Sequence, residues 1–259
     1  MGQLDGRVAA ITSGSTGIGF GVAKAFLAEG ASVVINGRDA DKAARALDQL
    51  QAGDRGHFVQ GDVTVRENVD RIIDGTVERF GHIDILVNNA GGLIKTAPVA
   101  DLSDEDWDFA IKWNLYSAFW ATRKALNYMV PQGWGRIINI SSVEGKHGKP
   151  AIPAYVTSKH ALNGLTKAVA KEVGTTGVTC NSICPGLVWT DVLVATGPDS
   201  AKAMGITFDE MVDQFAQETA IKRITTVEEV AGVAVLLASE VGAGITGSMY
   251  NVDGGTAAW

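Results

Sequence analysis

The sequence predicts a single α/β domain built on a doubly wound parallel sheet, and three observations carry that expectation. Short runs rich in Val and Ile alternate with longer amphipathic stretches, the rhythm of repeated βα units with right-handed crossovers. The runs barely alternate in polarity, as parallel strands covered on both faces require. The 259 residues are 46% hydrophobic, enough for a sizeable core, and no linker, repeat or low-complexity tract divides residues 1–259.

Arg7–Thr12 opens the sheet. Gly17–Glu29 follows as a helix, with Val22, Ala23, Phe26 and Leu27 spaced to form one buried stripe. Ser32–Gly37 is the second strand and Asp39–Gln51 the second helix. His57–Gly61 leads into a helix over Val65–Phe80, and Asp84–Asn89 into a long one over Ser103–Met129. Ser103 suits the cap of that helix, and Asp104, Glu105 and Asp106 place acids in its first turn. Gly135–Ser141 precedes a helix over Ala154–Gly174, and Val178–Gly186 and Gly247–Gly255 complete the strands. Residues 190–226 interrupt the rhythm with Gly197-Pro198, then an amphipathic run through Phe208, Met211, Val212 and Phe215. An insertion after a late strand lies over the carboxyl ends of the strands, where ligands bind, so 190–226 is expected to form a substrate lid.

Composition and spacing exclude several classes. A formal charge of −7, without clustered Lys and Arg, argues against a nucleic-acid partner. Cys180 and Cys184 would lie about 13 Å apart along one strand at ~3.3 Å per residue, too far to bond. They read as small buried hydrophobes of a reducing compartment. Asp5 and Arg7 precede any apolar run, so no signal peptide is visible. The longest apolar stretch, Val230–Ala238, is far short of the roughly 20 residues of a membrane span. A cytoplasmic protein with no membrane partner is the expectation. His57, His82, His147 and His160 are scattered without metal-ligand spacing, so no metal is expected. Asn139-Ile140-Ser141 matches a glycosylation sequon, but in a strand expected to be buried. Trp107, Trp113 and Trp120 read as core or subunit interface rather than a binding platform.

The stretch Ser13-Gly14-Ser15-Thr16-Gly17-Ile18-Gly19 follows a strand and opens a helix. In that context glycines let the backbone approach phosphate oxygens while the helix N-terminus presents free N–H groups. About 20 residues further on, such a site carries an acid for a ribose hydroxyl or an arginine for a 2′-phosphate. Asn36-Gly37-Arg38 has no acid at the strand tip, and Asp39 stands where the next helix should start. Arg38 offers a planar fork for phosphate, which favours NADP(H) and leaves NAD(H) open. Further along, Tyr155 and Lys159 stand at i and i+4 on one helix face. A phenol with a pKa near 10 is a poor base at neutral pH. A neighbouring cation lowers that value and makes Tyr155 a usable acid/base.

The order and spacing of these motifs resemble the short-chain dehydrogenase/reductase family over essentially the whole chain. The matching stretches are TSGSTGIG, GDV (Gly61 to Val63), NNAG (Asn88 to Gly91), Asn114 in WNLYSAF, INISS ending at Ser142, YVTSK, CPGLVWT (Cys184 to Thr190) and ITGSMYNVDGG. The resemblance implies a Rossmann fold, a nicotinamide cofactor and a homotetramer built through the long helices and the C-terminal strand. It implies that Tyr155 exchanges the proton at the substrate oxygen and that Ser142 hydrogen-bonds and polarises that oxygen. Lys159 would depress the tyrosine pKa and bind the nicotinamide ribose, and Asn114 would hold a water continuing the relay. Asp62 and Val63 match the adenine-contacting pair, and Asn89 the residue beside the cofactor ribose. Pro185, Gly186, Val188 and Thr190 match the segment that positions the nicotinamide ring. The family places a glycine where Ser13 stands. The turn is therefore expected to be rerouted through Gly14, leaving the Ser13 hydroxyl free near the phosphates.

Within the family, the closing half is similar to 3-hydroxybutyrate dehydrogenases, yet the carboxylate-binding side chains of that subgroup are missing. Glu144 stands in place of a histidine, Ile152 of a lysine, Thr256 of a tryptophan and Leu93 of a glutamine. An acid at Glu144 would repel a carboxylate substrate, which excludes hydroxybutyrate. The expected substrate mouth is Leu93, Ile94, Val143 and Ile152 with Leu187, Trp189, Val192 and Leu193, a lining for a neutral, partly apolar ketone or secondary alcohol. Glu144 is left to bind a hydroxyl or amine or to face solvent. Gly145–Lys149 also resembles a loop of polyketide ketoreductases, so a 3-oxoacyl-thioester reductase is the enzymatic alternative. A dinucleotide-sensing regulator is the non-enzymatic one.

Overall fold

The computed structural model describes residues 2–257, so Met1 and the last two residues of the expected 1–259 domain lie outside it. The strands are β1 (Val8–Ile11), β2 (Ser32–Gly37), β3 (Gly56–Gln60), β4 (Ile85–Asn88), β5 (Gly135–Ile140), β6 (Val178–Pro185), β7 (Val188–Trp189), β8 (Thr225–Thr226) and β9 (Met249–Val252). Seven of them form one sheet in the order β3-β2-β1-β4-β5-β6-β9, and every pair is parallel. These are the seven expected strands: β2 has its expected bounds, β3 is shifted one residue earlier, and the other five are shorter by one to a few residues. Ala9 pairs with Val33 on one side and Ile85 on the other, so β1 is central. The strand order reverses beside β1, which opens a crevice at the carboxyl ends of β1 and β4.

Helices cover both faces. On one face α1 (Gly17–Ala28) buries Val22, Ala23, Phe26 and Leu27, the stripe its spacing demanded. Beside it packs α9 (Val227–Ala238). That helix was not among those expected, because an unbroken apolar run has no 3.6-residue period to read. Its start is nevertheless written in the sequence as a reciprocal Thr226–Glu229 capping box. The remaining segments between strands are α2 (Ala40–Leu50), α3 (Arg66–Phe80), α4 (Asp104–Ile111), α5 (Ser117–Gln132) and α6 (Pro153–Val173). On the opposite face α3, α5 and α6 bury Ile72, Ile73, Met129 and Val169 in a second cluster.

Two segments refine the expectations. The long helix over 103–129 is capped by Ser103, whose Oγ accepts from Asp106 N at 3.2 Å, but it is not α-helical throughout. Lys112–Tyr116 forms a π turn between α4 and α5. Such turns insert one residue into the helix and cluster at functional sites. In residues 190–226, Gly197-Pro198 does not break the chain. Both lie inside α7 (Asp191–Ala203), where Gly197 leaves room for the ring of Phe208. Phe208 opens α8 (Phe208–Glu218), which buries Met211. Val188 pairs with Thr225, so β7 and β8 hold the two ends of this excursion together beside the crevice. Cys180 and Cys184 are free and buried on β6. Among the described residues no helix is long and apolar enough to cross a membrane.

Candidate active site

Buried polar side chains tie the sheet together beneath the crevice. Asn88 Nδ2 donates to Asn139 Oδ1 at 2.8 Å and to Thr122 Oγ1 at 3.0 Å. Asn139 Nδ2 in turn donates to Thr166 Oγ1 at 2.8 Å, and Thr166 Oγ1 lies 2.7 Å from Ser182 Oγ. Asn88 Oδ1 has no partner, but the bonds that are made, in a low-dielectric interior, rigidify the strand tips. Asn139, the sequon asparagine, is 1% exposed, so the sequon is a packing element.

The first turn of the cofactor loop corrects the sequence reading. The chain passes through the left-handed region at Ser13 (φ +50°) instead of rerouting through Gly14. Gly14 serves space: a Cβ there would lie 2.9 Å from Ile35 Cγ2 and 3.1 Å from Ile11 O. Two asparagines hold the turn. Asn36 is fully buried at the tip of β2; its carbonyl accepts from Gly14 N at 2.9 Å and its Oδ1 from Ser13 N at 3.4 Å. Asn89 Nδ2 donates to Thr12 O and Ser13 O, both at 3.0 Å. Left-handed backbone costs a residue bearing a Cβ about 1–2 kcal/mol. After glycine's larger loss of chain entropy is subtracted, Ser13→Gly is expected to raise unfolding stability by up to about 1 kcal/mol, with little change in dinucleotide affinity. A urea unfolding series reads this directly, and a clear loss of stability would contradict it.

Above the turn a cleft of about 560 Å³ crosses the strand tips. Ser13, Ser15, Thr16, Gly17 and Ile18 line it, as do Arg38, Asp62, Val63, Asn89, Pro185, Gly186 and Thr190. Gly14 and Gly19 lie behind its wall. A Cβ at Gly19 would sit 2.5 Å from Asn89 Nδ2, so this glycine permits close packing of α1 on the loop. Val188 is likewise behind the wall, 6% exposed and packed in the core. Sequence reasoning missed Lys42, Phe109 and Trp113, all of which line the cleft. Trp113, read as core or interface, stands there with Phe109 at 6.3 Å between ring centroids. Asp39 accepts from Lys42 N at 2.9 Å and caps α2, as its position suggested. Arg38 and Lys42 line the cleft together with Asp39 and Asp62, and among the described residues no acid forms an ion pair with Arg38.

Ser142, Tyr155 and Lys159 line the other end of the same cleft. Ser142 follows β5 and its Oγ accepts from Glu144 N at 3.1 Å, which leaves its own hydroxyl proton to donate to Tyr155. The 3₁₀ turn after it, Val143–Gly145, is packed against α6. Lys159 is 3% exposed and its Nζ donates to Ile140 O at 2.8 Å, 5.6 Å from the centre of the Tyr155 ring. Burial pushes the ammonium down to about 8. The phenol moves the other way. Burial pushes Tyr155 up, the hydrogen bond with Ser142 pulls it down, and the Glu144 charge raises it further. Asn114 sits in the π turn, wholly buried. Its Oδ1 accepts from Gly92 N at 2.8 Å and its Nδ2 donates to Ala110 O at 3.0 Å and Gly92 O at 3.1 Å. Gly91 lies against both Asn114 and Lys159 with φ +147°. A Cβ there would stand 2.5 Å from Asn114 Oδ1 and 3.3 Å from Lys159 Nζ. Gly91→Ala is therefore expected to lower turnover about 10²-fold by displacing these side chains, read as kcat in steady state. Unchanged kcat would contradict the placement.

The expected substrate mouth divides in two. Leu93, Ile94, Trp189 and Val192 are exposed, between 36% and 51%, and of the four Val192 lines the cleft. Ile152, Leu187 and Leu193 are half-buried, while Val143 and Glu144 are buried in the turn beside Ser142. Glu144 does not face solvent: it is 8% exposed, with His147 Nε2 at 3.1 Å and Lys149 Nζ at 3.9 Å. Among the described residues no group of three or more His, Cys, Asp or Glu side chains could hold a metal ion.

A serine, a tyrosine and a buried lysine gathered at the crevice of a doubly wound sheet define an α/β oxidoreductase of the Rossmann class. Known proteins narrow this further. A family model described as enoyl-(acyl carrier protein) reductase matches residues 13–257. The D-beta-hydroxybutyrate dehydrogenase of Rhizobium meliloti is 39% identical over 253 residues, covering 96% of this chain and 98% of that protein. A 3beta-hydroxysteroid dehydrogenase of Mediterraneibacter gnavus is 36% identical over 266 residues, covering 98% and 96%. The crystal structure of a variant actinorhodin polyketide ketoreductase with NADPH matches with a TM-score of 0.93 at 32% identity, covering 100% of both chains. The chain belongs to the short-chain dehydrogenase/reductase family, nicotinamide-dependent oxidoreductases of hydroxyl and ketone groups.

Proposed function

We propose that this chain reduces neutral, partly apolar ketones, or oxidises the matching secondary alcohols, with NADP(H) and with Tyr155 as the proton donor or acceptor. The observation that carries the reading is one cleft lined by the Ser13–Ile18 loop at its middle, Arg38 and Lys42 at one end, and Ser142, Tyr155 and Lys159 at the other. The residues present suit a dinucleotide. Gly17, at φ +56°, brings no side chain of its own to the start of α1, where its N–H donates to Asp191 Oδ1 at 2.9 Å, and Arg38 with Lys42 suits a 2′-phosphate. Asp62 and Val63 would face the adenine, Asn89 and Lys159 the riboses, and Pro185, Gly186 and Thr190 the nicotinamide. When bound, the cofactor supplies or accepts a hydride. Ser142 would hydrogen-bond the substrate oxygen through its hydroxyl, Tyr155 moves the one proton at that oxygen, and Lys159 with Asn114 extends the proton path. The excursion 190–226, with α7 and α8, acts as the lid.

Glu144 sets the substrate class. A buried negative charge beside Ser142 opposes a carboxylate in the same pocket. The D-beta-hydroxybutyrate dehydrogenases that this chain resembles are thus models for its fold and chemistry but not its substrate. The similarity to the polyketide ketoreductase favours a carrier-bound 3-oxoacyl thioester as the second reading. Exposed Trp107, Tyr116 and Phe119 on the rod of α4 and α5 support the homotetramer, and the free cysteines fit a cytoplasmic setting. A panel of neutral ketones, 3-oxo acids and 3-oxoacyl thioesters, run with NADPH and NADH, tests the reading. Highest kcat/KM for neutral ketones with NADPH is expected. A preference for 3-oxo acids, or for NADH, would overturn the corresponding part.

A further inference from the structure

The start of α1 already holds an anion supplied by the chain itself. Its cap residue, Thr16, makes no side-chain cap hydrogen bond, and its first turn contains no acid. The Gly17 N–H donates instead to Asp191 Oδ1 at 2.9 Å, a carboxylate 174 positions further along the chain. Asp191 is the first residue of α7, at the root of the 190–226 excursion. That root is itself fixed, because Thr190 Oγ1 accepts from Leu193 N at 3.0 Å and caps α7. The carboxylate thus stands at two helix N-termini, each of which favours a negative charge. Its neighbours lie as close. A Cβ placed on Gly17 would stand 3.8 Å from Thr190 Cγ2 and 3.8 Å from Val192 Cγ2. Gly17, Thr190 and Val192 all line the cleft, so this contact joins the root of the excursion to the cofactor loop.

Resting on the reading of the cleft as a dinucleotide site, we propose that the Asp191 carboxylate competes with the pyrophosphate of the dinucleotide for the start of α1 and so limits the affinity of the site. A phosphate at a helix N-terminus needs the N–H groups there and the positive end of the helix dipole. The Gly17 N–H has one proton, and the carboxylate takes it. A dinucleotide then meets one of two costs. If Asp191 keeps its bond, its charge lies against the phosphates and repels them. If Asp191 gives the bond up, a charge-assisted hydrogen bond is lost, and such bonds are stronger than neutral ones. Either cost falls on the pyrophosphate and spares the end of the cleft that Arg38 and Lys42 line. Solvent limits its size, because Asp191 is exposed and its charge is screened. The coupling is reciprocal: whatever Asp191 costs the dinucleotide, the dinucleotide costs the contact between α7 and α1. Loading the cleft therefore loosens the root of the lid.

The test is equilibrium binding to the whole chain, with no turnover required. Asp191→Asn keeps an oxygen that can accept from Gly17 N and removes the charge. Fluorescence titration should show NADPH and NADH each binding about 3- to 10-fold more tightly to this variant, the size expected of a charge at a helix end. Asp191→Ser, which also withdraws the reach of the side chain, should tighten both dinucleotides as well. Adenosine 2′-phosphate offers a phosphate to Arg38 and Lys42 but has no pyrophosphate. Measured by competition with NADPH, it should bind the variants and the unmodified chain equally. Unchanged or weaker dinucleotide binding in either variant would overturn the proposal. So would an equal gain for adenosine 2′-phosphate, which would mark a general effect of charge. If neither NADPH nor NADH binds the unmodified chain or the variants, the reading of the cleft fails instead, and the first titrations tell the two failures apart.

Discussion

Tyr155→Phe is expected to lower turnover by about 10²–10⁴-fold, the usual contribution of a positioned proton donor, while dinucleotide affinity stays close to that of the unmodified chain. The substitution removes one oxygen and keeps the ring, so the packing of α6 against β6 is preserved. What is lost is the group that moves the proton at the substrate oxygen. With the phenol oxygen gone, Ser142, whose Oγ is held by Glu144 N at 3.1 Å, can still polarise the substrate oxygen through its hydroxyl but does not supply the proton. Steady-state kinetics paired with a fluorescence titration of NADPH measures both quantities on one protein. Near-native turnover with intact binding would mean that another group donates the proton.

The second large effect belongs to the opposite end of the cleft. Arg38→Ser combined with Lys42→Ala should weaken NADPH binding by about 10- to 100-fold, because hydrogen bonds to a charged group contribute about 1.5–3 kcal/mol. NADH binding should change little if, as proposed, the two cations bind the 2′-phosphate that NADH lacks. Asp39 does not substitute for a ribose-binding acid, because its carboxylate is held by Lys42 N at 2.9 Å as the cap of α2. Equal loss for both nucleotides would contradict the assignment of Arg38 and Lys42 to the 2′-phosphate.

The strands and most helices were legible because their information is local. Val and Ile runs mark buried parallel strands, and Val22 with Phe26 marks a helix face. The grouping of Ser142, Tyr155 and Lys159 was legible from motif order. What escaped is non-local. Ser13 takes a positive φ because Asn36 and Asn89, reaching in from β2 and β4, bond its turn from both sides. Nothing near Ser13 in the chain states that. Lys42 joins Arg38 only because a turn of α2 brings it back over the cleft, and Trp113 faces inward only where the π turn shifts the helix phase. α9 was missed for the opposite reason: its signal was local, in Thr226 and Glu229, but a uniform apolar run masked it.

The central claim is that this cleft performs proton-coupled reduction and does not merely sense a dinucleotide. Product analysis after mixing the protein with NADPH and a neutral ketone tests it most directly. One alcohol formed per NADPH consumed, abolished in Tyr155→Phe, is the predicted result. Saturable NADPH binding with no alcohol formed from any ketone of the panel would contradict it.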